Sequence, residues 1–484
     1  PRPSDAALIA MFSASGGEPS TTQQSNPTGI GWAFDSGSEA FNFLPAGQTM
    51  TLTYTVRATD SSGATDNQAV TVTITGTNDN GSLAADSPSV NEDTALNGNV
   101  LSNDTPDPDY NEPLGVTQFT VAGDPTTYLA GQTATIAGAG SLVLNANGTY
   151  TFTPLANYSG PVPVVTYTAG NSTFSGTSTL AISVTPRSDA PSWPAHAGVT
   201  TNEDTMVALN LKMPVITDNT DKNGALAGDS PERLGFITLE SIDTGTRIYK
   251  GDGTTLLFTG SNNTMRVVIV DGAGNLDTSV HYTDLASDPS YASAIKLTKA
   301  EFEALMAMPP ADRHNDVDMT LRVTSFETSD SGNRLTAVAG TAATRAVHVE
   351  VLGVTDPVDL KIAGSDVSHS VTINEDSALD LKSLLSTSFN DTDGSEQRSI
   401  VLGNLPAGTL VNGVAVGVSG TVTLPLAGGN TLPSITITPP RDSSGDINGI
   451  TVTLRAQDTD GDSTHTPAVV TDTVTLDLHV NPVA

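Results

Sequence analysis

The chain has 484 residues, no cysteine, and 53 acidic against 20 basic side chains, for a net charge of −33. Charge of that sign repels phosphate backbones and anionic bilayer surfaces, so neither nucleic-acid binding nor membrane insertion is expected. The length exceeds what one core serves and suits about three to five domains, none of them stapled by disulfides.

Pro1 to Asp5 form neither an initiator start nor a signal peptide, and the apolar run from Ala6 to Phe12 is too short to cross a bilayer. The sequence therefore reads as an internal segment, with both termini expected to continue. Strict alternation follows at Met50, Leu52, Tyr54, Val56 and Ala58, then at Val70, Val72 and Ile74, which predicts half-buried strands. Leu180, Ile182 and Val184 repeat the pattern, as do Ile450, Val452 and Leu454, and Val474, Leu476 and Leu478. Threonine fills many outward positions, and turn-rich segments such as Asp60–Gly63 and Asn145–Gly148 separate the runs. Short strands at turn spacing predict an all-β chain of tandem β-sandwiches. One helix is expected, with Thr298 and Glu301 in capping-box spacing, Leu297, Phe302, Leu305 and Met306 on one face, and Pro309-Pro310 as its stop. Trp32 is expected in a core and Trp193 against a linker.

Acidic linkers at Gly76–Asp79, Pro186–Pro191 and Gly353–Pro357 set the expected modules at 1–79, 80–189, 190–356 and 357–484. The triplet Asn-Glu-Asp, followed by Thr or Ser, begins at Asn91, Asn202 and Asn374, and each copy precedes an acidic loop. The second interval is longer than the first, 172 residues against 111, so the third module carries an insertion. In an Ig-like module the triplet lies at the far pole and the acidic loop at the near one, so two clusters meet at each joint. The first joint would use Asp79, Asp107 and Asp109, and the second Glu92, Asp93, Asp189, Asp218 and Asp221. The third would use Glu203, Asp204, Asp356, Asp391 and Asp393, with Asp458 and Asp460 nearby, and Glu375 repeats the glutamate in the last module. Hard oxygen ligands recurring at one place point to Ca²⁺, which takes six to eight oxygens and tolerates irregular geometry. Turn chemistry competes, because Asp and Asn bond local backbone in loops, and isolated hairpins such as those at Asp60 and Asp271 fit that reading better.

Ser38–Gln48 with the following strand and Gly76–Asp79 resembles the second half of a VCBS repeat. The segment from Asn91 through Asn145–Pro154 to Asn157–Gly160 is similar to cadherin-like tandem repeats, and Ile295–Pro310 and Ser399–Gly408 resemble longer Ig-like modules. Together these resemble the large calcium-dependent RTX adhesins of Gram-negative bacteria, exported by type I secretion. That resemblance implies a monomeric, calcium-stiffened, extended rod on the bacterial surface, presenting binding domains to host or bacterial glycans or proteins in adhesion or biofilm formation. The glycine-rich nonapeptide of RTX β-rolls is absent from the sequence, which sets this segment apart from the secretion end of such a protein.

No His-Glu-x-x-His pair, Gly-x-Ser-x-Gly elbow or P-loop occurs, so an enzyme is not expected. The alternative function is sugar or peptide binding by the third module, through Tyr249, Asp252, Tyr282, Asp284 and Tyr291, which mix aromatic faces with carboxylates.

Overall fold

A computed structural model describes residues 2–15, 30–60, 62–79, 81–106, 112–218, 231–329, 331–390, 394–428, 430–459 and 465–483. They divide into two compact units, Pro1–Arg187 with Thr220–Pro231, and Ser188–Asn219 with Glu232–Ala484. Both are built from β-strands.

The first unit opens on a helix that alternation did not announce, α1 (Asp5–Ala10), whose first turn is closed by Ser4 Oγ accepting the Ala7 N–H. Strands β1 (Phe12–Ser15) and β2 (Gly31–Phe34) form a short antiparallel pair, and β3 (Thr49–Thr59) and β4 (Thr65–Thr75) a longer ribbon. Their apolar side chains collect around Leu8, Phe41 and Leu44. Trp32 departs from its expected core position: it is 51% exposed and stacks on Phe12, which stacks in turn on Tyr54. Strands this short and sparsely partnered leave one face of the aromatic stack open. A second core in this unit is sealed by Phe119, Leu142, Phe152 and Tyr167, each at most 1% exposed. Around it run β5 (Ser89–Asn91), β6 (Gly115–Val121), β7 (Val165–Gly170) and β8 (Ser183–Thr185) among further short strands.

The second unit holds two larger sandwiches. One packs a seven-stranded sheet, including β9 (Val199–Asn202), β10 (Glu232–Leu234), β11 (Ile237–Ile242), β12 (Asn263–Ile269), β13 (Val317–Glu327) and β14 (Thr341–Leu352), against a four-stranded sheet. The other has a five-stranded sheet containing β15 (Ser368–Asn374), β16 (Glu396–Gly403), β17 (Ile447–Asp458) and β18 (Val470–Asn481). Helix α2 (Lys299–Glu303) forms where the capping box predicted it, with both arms of the box made. It is shorter than expected. Met306 to Met308 leave it to pair as a strand with Arg247–Tyr249, so sheet pairing overrides the helical face.

In the three sandwiches the strand that leads into the triplet pairs in parallel with the last strand: β5 with β8, β9 with β14, β15 with β18. This places each Asn-Glu-Asp triplet beside the point where the chain leaves its module.

Candidate metal centres at the module poles

The parallel pairing sets Asn91 opposite Thr185, Asn202 opposite Leu352 and Asn374 opposite Asn481. The glutamate that follows extends the ladder by one bond, its N–H donating to Thr185 O at 3.1 Å, Leu352 O at 2.9 Å and Asn481 O at 2.8 Å respectively. Its carboxylate then takes hold of the departing chain. Glu203 Oε1 accepts the Val354 N–H at 2.6 Å, Glu375 Oε1 accepts the Val483 N–H at 2.7 Å, and Glu92 Oε1 accepts the Arg187 N–H. Glu92 and Glu203 are buried.

The aspartate of the triplet does something else. Asp93, Asp204 and Asp376 all adopt left-handed backbone conformations, with φ of 56°, 55° and 57°, which Asp tolerates better than most residues. Their side chains accept the N–H of Asn157, Asp312 and Asp442, at 3.0, 3.2 and 3.3 Å. Asp93 and Asp204 are therefore turn residues that clamp a neighbouring loop.

At the entry side of the third module, within the second unit, the Asp189 N–H donates to Glu232 Oε1 and the Ser325 hydroxyl donates to Asp189 O. Buried Asp218 is tied in through its carbonyl, which accepts the Glu232 N–H at 2.7 Å. Glu232 stands directly across from Glu327 in the β10–β13 register, and each is 1% exposed. The fourth module repeats the plan. The Asp356 N–H donates to Glu396 Oε1 at 2.7 Å, the Asp458 N–H donates to Thr355 Oγ1 at 2.9 Å, and Glu396 faces Asp458 across β16 and β17. Thus the linker between these two modules is gripped twice, at Val354 by Glu203 and at Asp356 by Glu396.

Two of these buried carboxylate oxygens, Glu232 Oε2 and Asp458 Oδ2, have no hydrogen-bond partner. Burial pushes the Glu232 carboxyl up to about 7. A sealed carboxylate oxygen of this kind calls for a cation or a proton. Among the described residues no three His, Cys, Asp or Glu side chains converge as a ready ligand set. The donors that fit calcium here are mixed instead: an acidic pair with backbone carbonyl and hydroxyl oxygens, a combination calcium accepts.

Asp79 is half-buried after β4. Asp107, Asp109, Asp221, Asp391, Asp393 and Asp460 lie outside the described residues. Glu232, Glu327 and Glu396 escaped the sequence reading. Only Glu232-Arg233 and Glu396-Gln397-Arg398, just ahead of alternating apolar runs, could have signalled them.

The five residues expected to bind a sugar or peptide are not assembled. Tyr249 lies on the four-stranded sheet, and Asp252 closes its own turn by accepting from the Thr254 and Thr255 amides and the Thr255 hydroxyl, bonds that lower its pKa. Tyr282 and Tyr291 belong to a satellite cluster with Val268, whose neighbours Val267 and Ile269 point into the main core. Alternation along β12 therefore puts that cluster on the outer face of the seven-stranded sheet, across the core from Tyr249. Tyr282 is buried edge-on to Phe326, Asp284 accepts the Arg334 N–H at 2.8 Å, and the Lys296 ammonium sits 4.8 Å over the Tyr291 ring.

Residues 78–185 match the family model of the bacterial Ig domain, and nothing among curated proteins matches the sequence. Among solved structures, the chain is similar to the protocadherin GammaB4 extracellular domain at 13% identity and a TM-score of 0.30, covering 97% of this chain and 59% of that one. Drosophila N-cadherin EC1-4 gives 13% identity and a TM-score of 0.24, covering 97% and 92%. Titin domains I67–I69 give 9% and 0.23, covering 82% and 95%. At these scores the likenesses carry no weight for function. An all-β chain of tandem sandwiches, one of them matching the bacterial Ig domain, is what the fold and the family model establish together. No helix among the described residues is long and apolar enough to cross a membrane.

Proposed function

We propose that the chain is a calcium-stiffened segment of a bacterial cell-surface adhesin, secreted from the cell, that extends and presents binding domains. The observation that carries this reading is the double capture of one short linker, Val354 by Glu203 and Asp356 by Glu396, inside a buried and predominantly acidic pole. A linker of few residues swings freely unless both neighbours hold it. The pole gathers Glu203, Asp356, Glu396 and Asp458 against the single guanidinium of Arg398, and calcium bound there adds positive charge and joins side chains of both modules. Calcium is scarce before export and plentiful outside, so stiffening follows secretion, and metal binding adds to folding free energy at that moment. Receptor function for the third module has less support, because its tyrosines and carboxylates are spread over opposite faces.

Small-angle scattering on the full chain tests the proposal. Addition of millimolar calcium is expected to lower the flexibility seen after chelation, and superimposable profiles in the two conditions would refute it.

A further inference from the structure

Basic side chains are scarce in this chain, 20 in all, yet four of them gather on the outer face of the seven-stranded sheet in the third module. Met265, Val267 and Ile269 of β12 enter the core, so Arg266 faces outward. By the same alternation Leu239 turns Thr238 outward in β11, and Leu321 and Val323 turn Arg322 outward in β13. The register sets Arg266 and Arg322 on either side of Thr238, two strand spacings or about 10 Å apart. Lys296 extends the face beyond β12, across from Val268. Arg334 lies over Phe326, which follows Arg322 on the same side of β13.

Three of the four cations rest on aromatic rings of the satellite cluster: Arg266 at 5.2 Å from the Phe236 centroid, Lys296 at 4.8 Å from Tyr291 and Arg334 at 4.1 Å from Phe326. A ring beneath a cation fixes its position and leaves its charge intact. Among the described residues none of the four has a carboxylate within ion-pair distance. Other lysines of the module are paired, Lys212 with Glu303 at 3.5 Å, Lys250 with Glu301 at 2.9 Å and Lys299 with Asp277 at 3.6 Å. The carboxylates that border the face serve other donors. Glu240 accepts the Thr238 hydroxyl at 2.9 Å, Asp284 the Arg334 main-chain N–H at 2.8 Å and Asp288 the Ser290 N–H at 2.7 Å. In a chain with 53 acidic residues, four cations kept clear of all of them form a surface that complements an external anion.

We propose that this face docks an anionic polysaccharide, a glycan chain bearing sulfate or carboxylate groups. Cations spread along a sheet face match anions repeated along a polymer better than they match one small ligand. Between them stand hydroxyls suited to a sugar: Thr238 separates the two arginines, and Thr344 lies across from Arg322 on β14. An extended acidic peptide would instead seek a free main-chain edge, which the face of a sheet does not offer. The net charge of −33 does not forbid the contact, because at physiological ionic strength charges beyond about 8 Å are largely screened. Neither the cations nor their rings depend on the calcium reading above. The set also differs from the tyrosines and carboxylates expected from the sequence: Tyr291 serves as the support of Lys296, and Tyr249 and Asp252 take no part.

Calorimetric titration of the full chain with heparin, polygalacturonate, polyglutamate and neutral dextran, in chelator and again in calcium, decides the matter. Heparin or polygalacturonate is expected to bind in both conditions, more weakly as salt is added, and the tighter of the two identifies sulfate or carboxylate as the preferred anion. Dextran is expected not to bind. Arg266→Gln combined with Arg322→Gln should weaken binding about tenfold or more, whereas Lys212→Gln combined with Lys299→Gln, an equal loss of charge at paired lysines, should leave it unchanged. Arg322→Gln alone guards against misfolding, since that side chain has no hydrogen bond or ion pair to lose among the described residues, and it too should weaken binding. Absence of binding to both polysaccharides, or equal loss in the two double variants, overturns the surface. Polyglutamate bound as tightly as the polysaccharides overturns the glycan assignment in favour of an acidic protein. Binding seen only with calcium would make the ion the bridge and overturn the role of the cations.

Discussion

Single side chains at the poles carry separable duties, and substitutions should expose them. Glu203 accepts a main-chain amide from the linker while buried, a charge-assisted bond whose loss leaves the Val354 N–H without its acceptor. Glu203→Ala is expected to lower the unfolding free energy by about 1–3 kcal/mol, read from urea denaturation of the intact chain. A midpoint equal to wild type would show that the bond contributes nothing. His281 offers a different test. It is fully buried, Nε2 accepts the Ile269 N–H at 2.8 Å, and Nδ1–H donates to Leu234 O at 3.1 Å, so the ring is neutral with the proton on Nδ1. Burial pushes its pKa down to about 4. The unfolded chain, titrating near 6.5, takes up a proton that the folded chain refuses. Stability from this group is therefore complete above about pH 6.5 and falls as the pH drops toward 4, by roughly 3 kcal/mol in all. Urea midpoints measured from pH 7.5 to 4.5 should fall more steeply for the wild type than for His281→Gln. Parallel slopes would contradict the assignment.

At the scale of elements, what was legible in the sequence was local. Period-two runs announced the long strands, and the Thr298–Glu301 spacing announced α2, because both signals depend on neighbours in the chain. What was illegible depended on partners far away. Nothing near Met306 indicates that it pairs with Tyr249, and nothing near Glu232 indicates that Glu327 stands opposite. The Asn-Glu-Asp triplet is legible as a repeat, yet its division of labour comes from the parallel pairing of the strand before it with the module's last strand, which turns the glutamate toward the exit and leaves the aspartate in a left-handed turn. That division predicts unequal effects within one triplet. Asp204→Asn keeps an acceptor for the Asp312 amide and should leave the calcium isotherm unchanged, whereas Glu203→Gln should weaken it. Equal weakening by both would restore the aspartate as a ligand. Asp204→Val, forced to a φ of 55°, should lose about 1–2 kcal/mol by chemical denaturation, and a wild-type midpoint would speak against the strained turn.

For the molecule as a whole, separate apolar cores around Leu8, Phe119, Leu239 and Leu402 mean that each module buries its own side chains. A net charge of −33 spread over such modules works against close approach of their acidic poles, so a divalent ion changes the balance more here than in a neutral chain. The linker amides of Val354 and Asp356 report on that balance most directly, since each is held by a buried glutamate from a different module. Hydrogen exchange at these two amides, in millimolar calcium and again after chelation, measures the central claim. The account predicts strong protection with calcium and measurably faster exchange without it, as loss of the ion loosens the carboxylates that hold the linker. Equal protection in both conditions would contradict it.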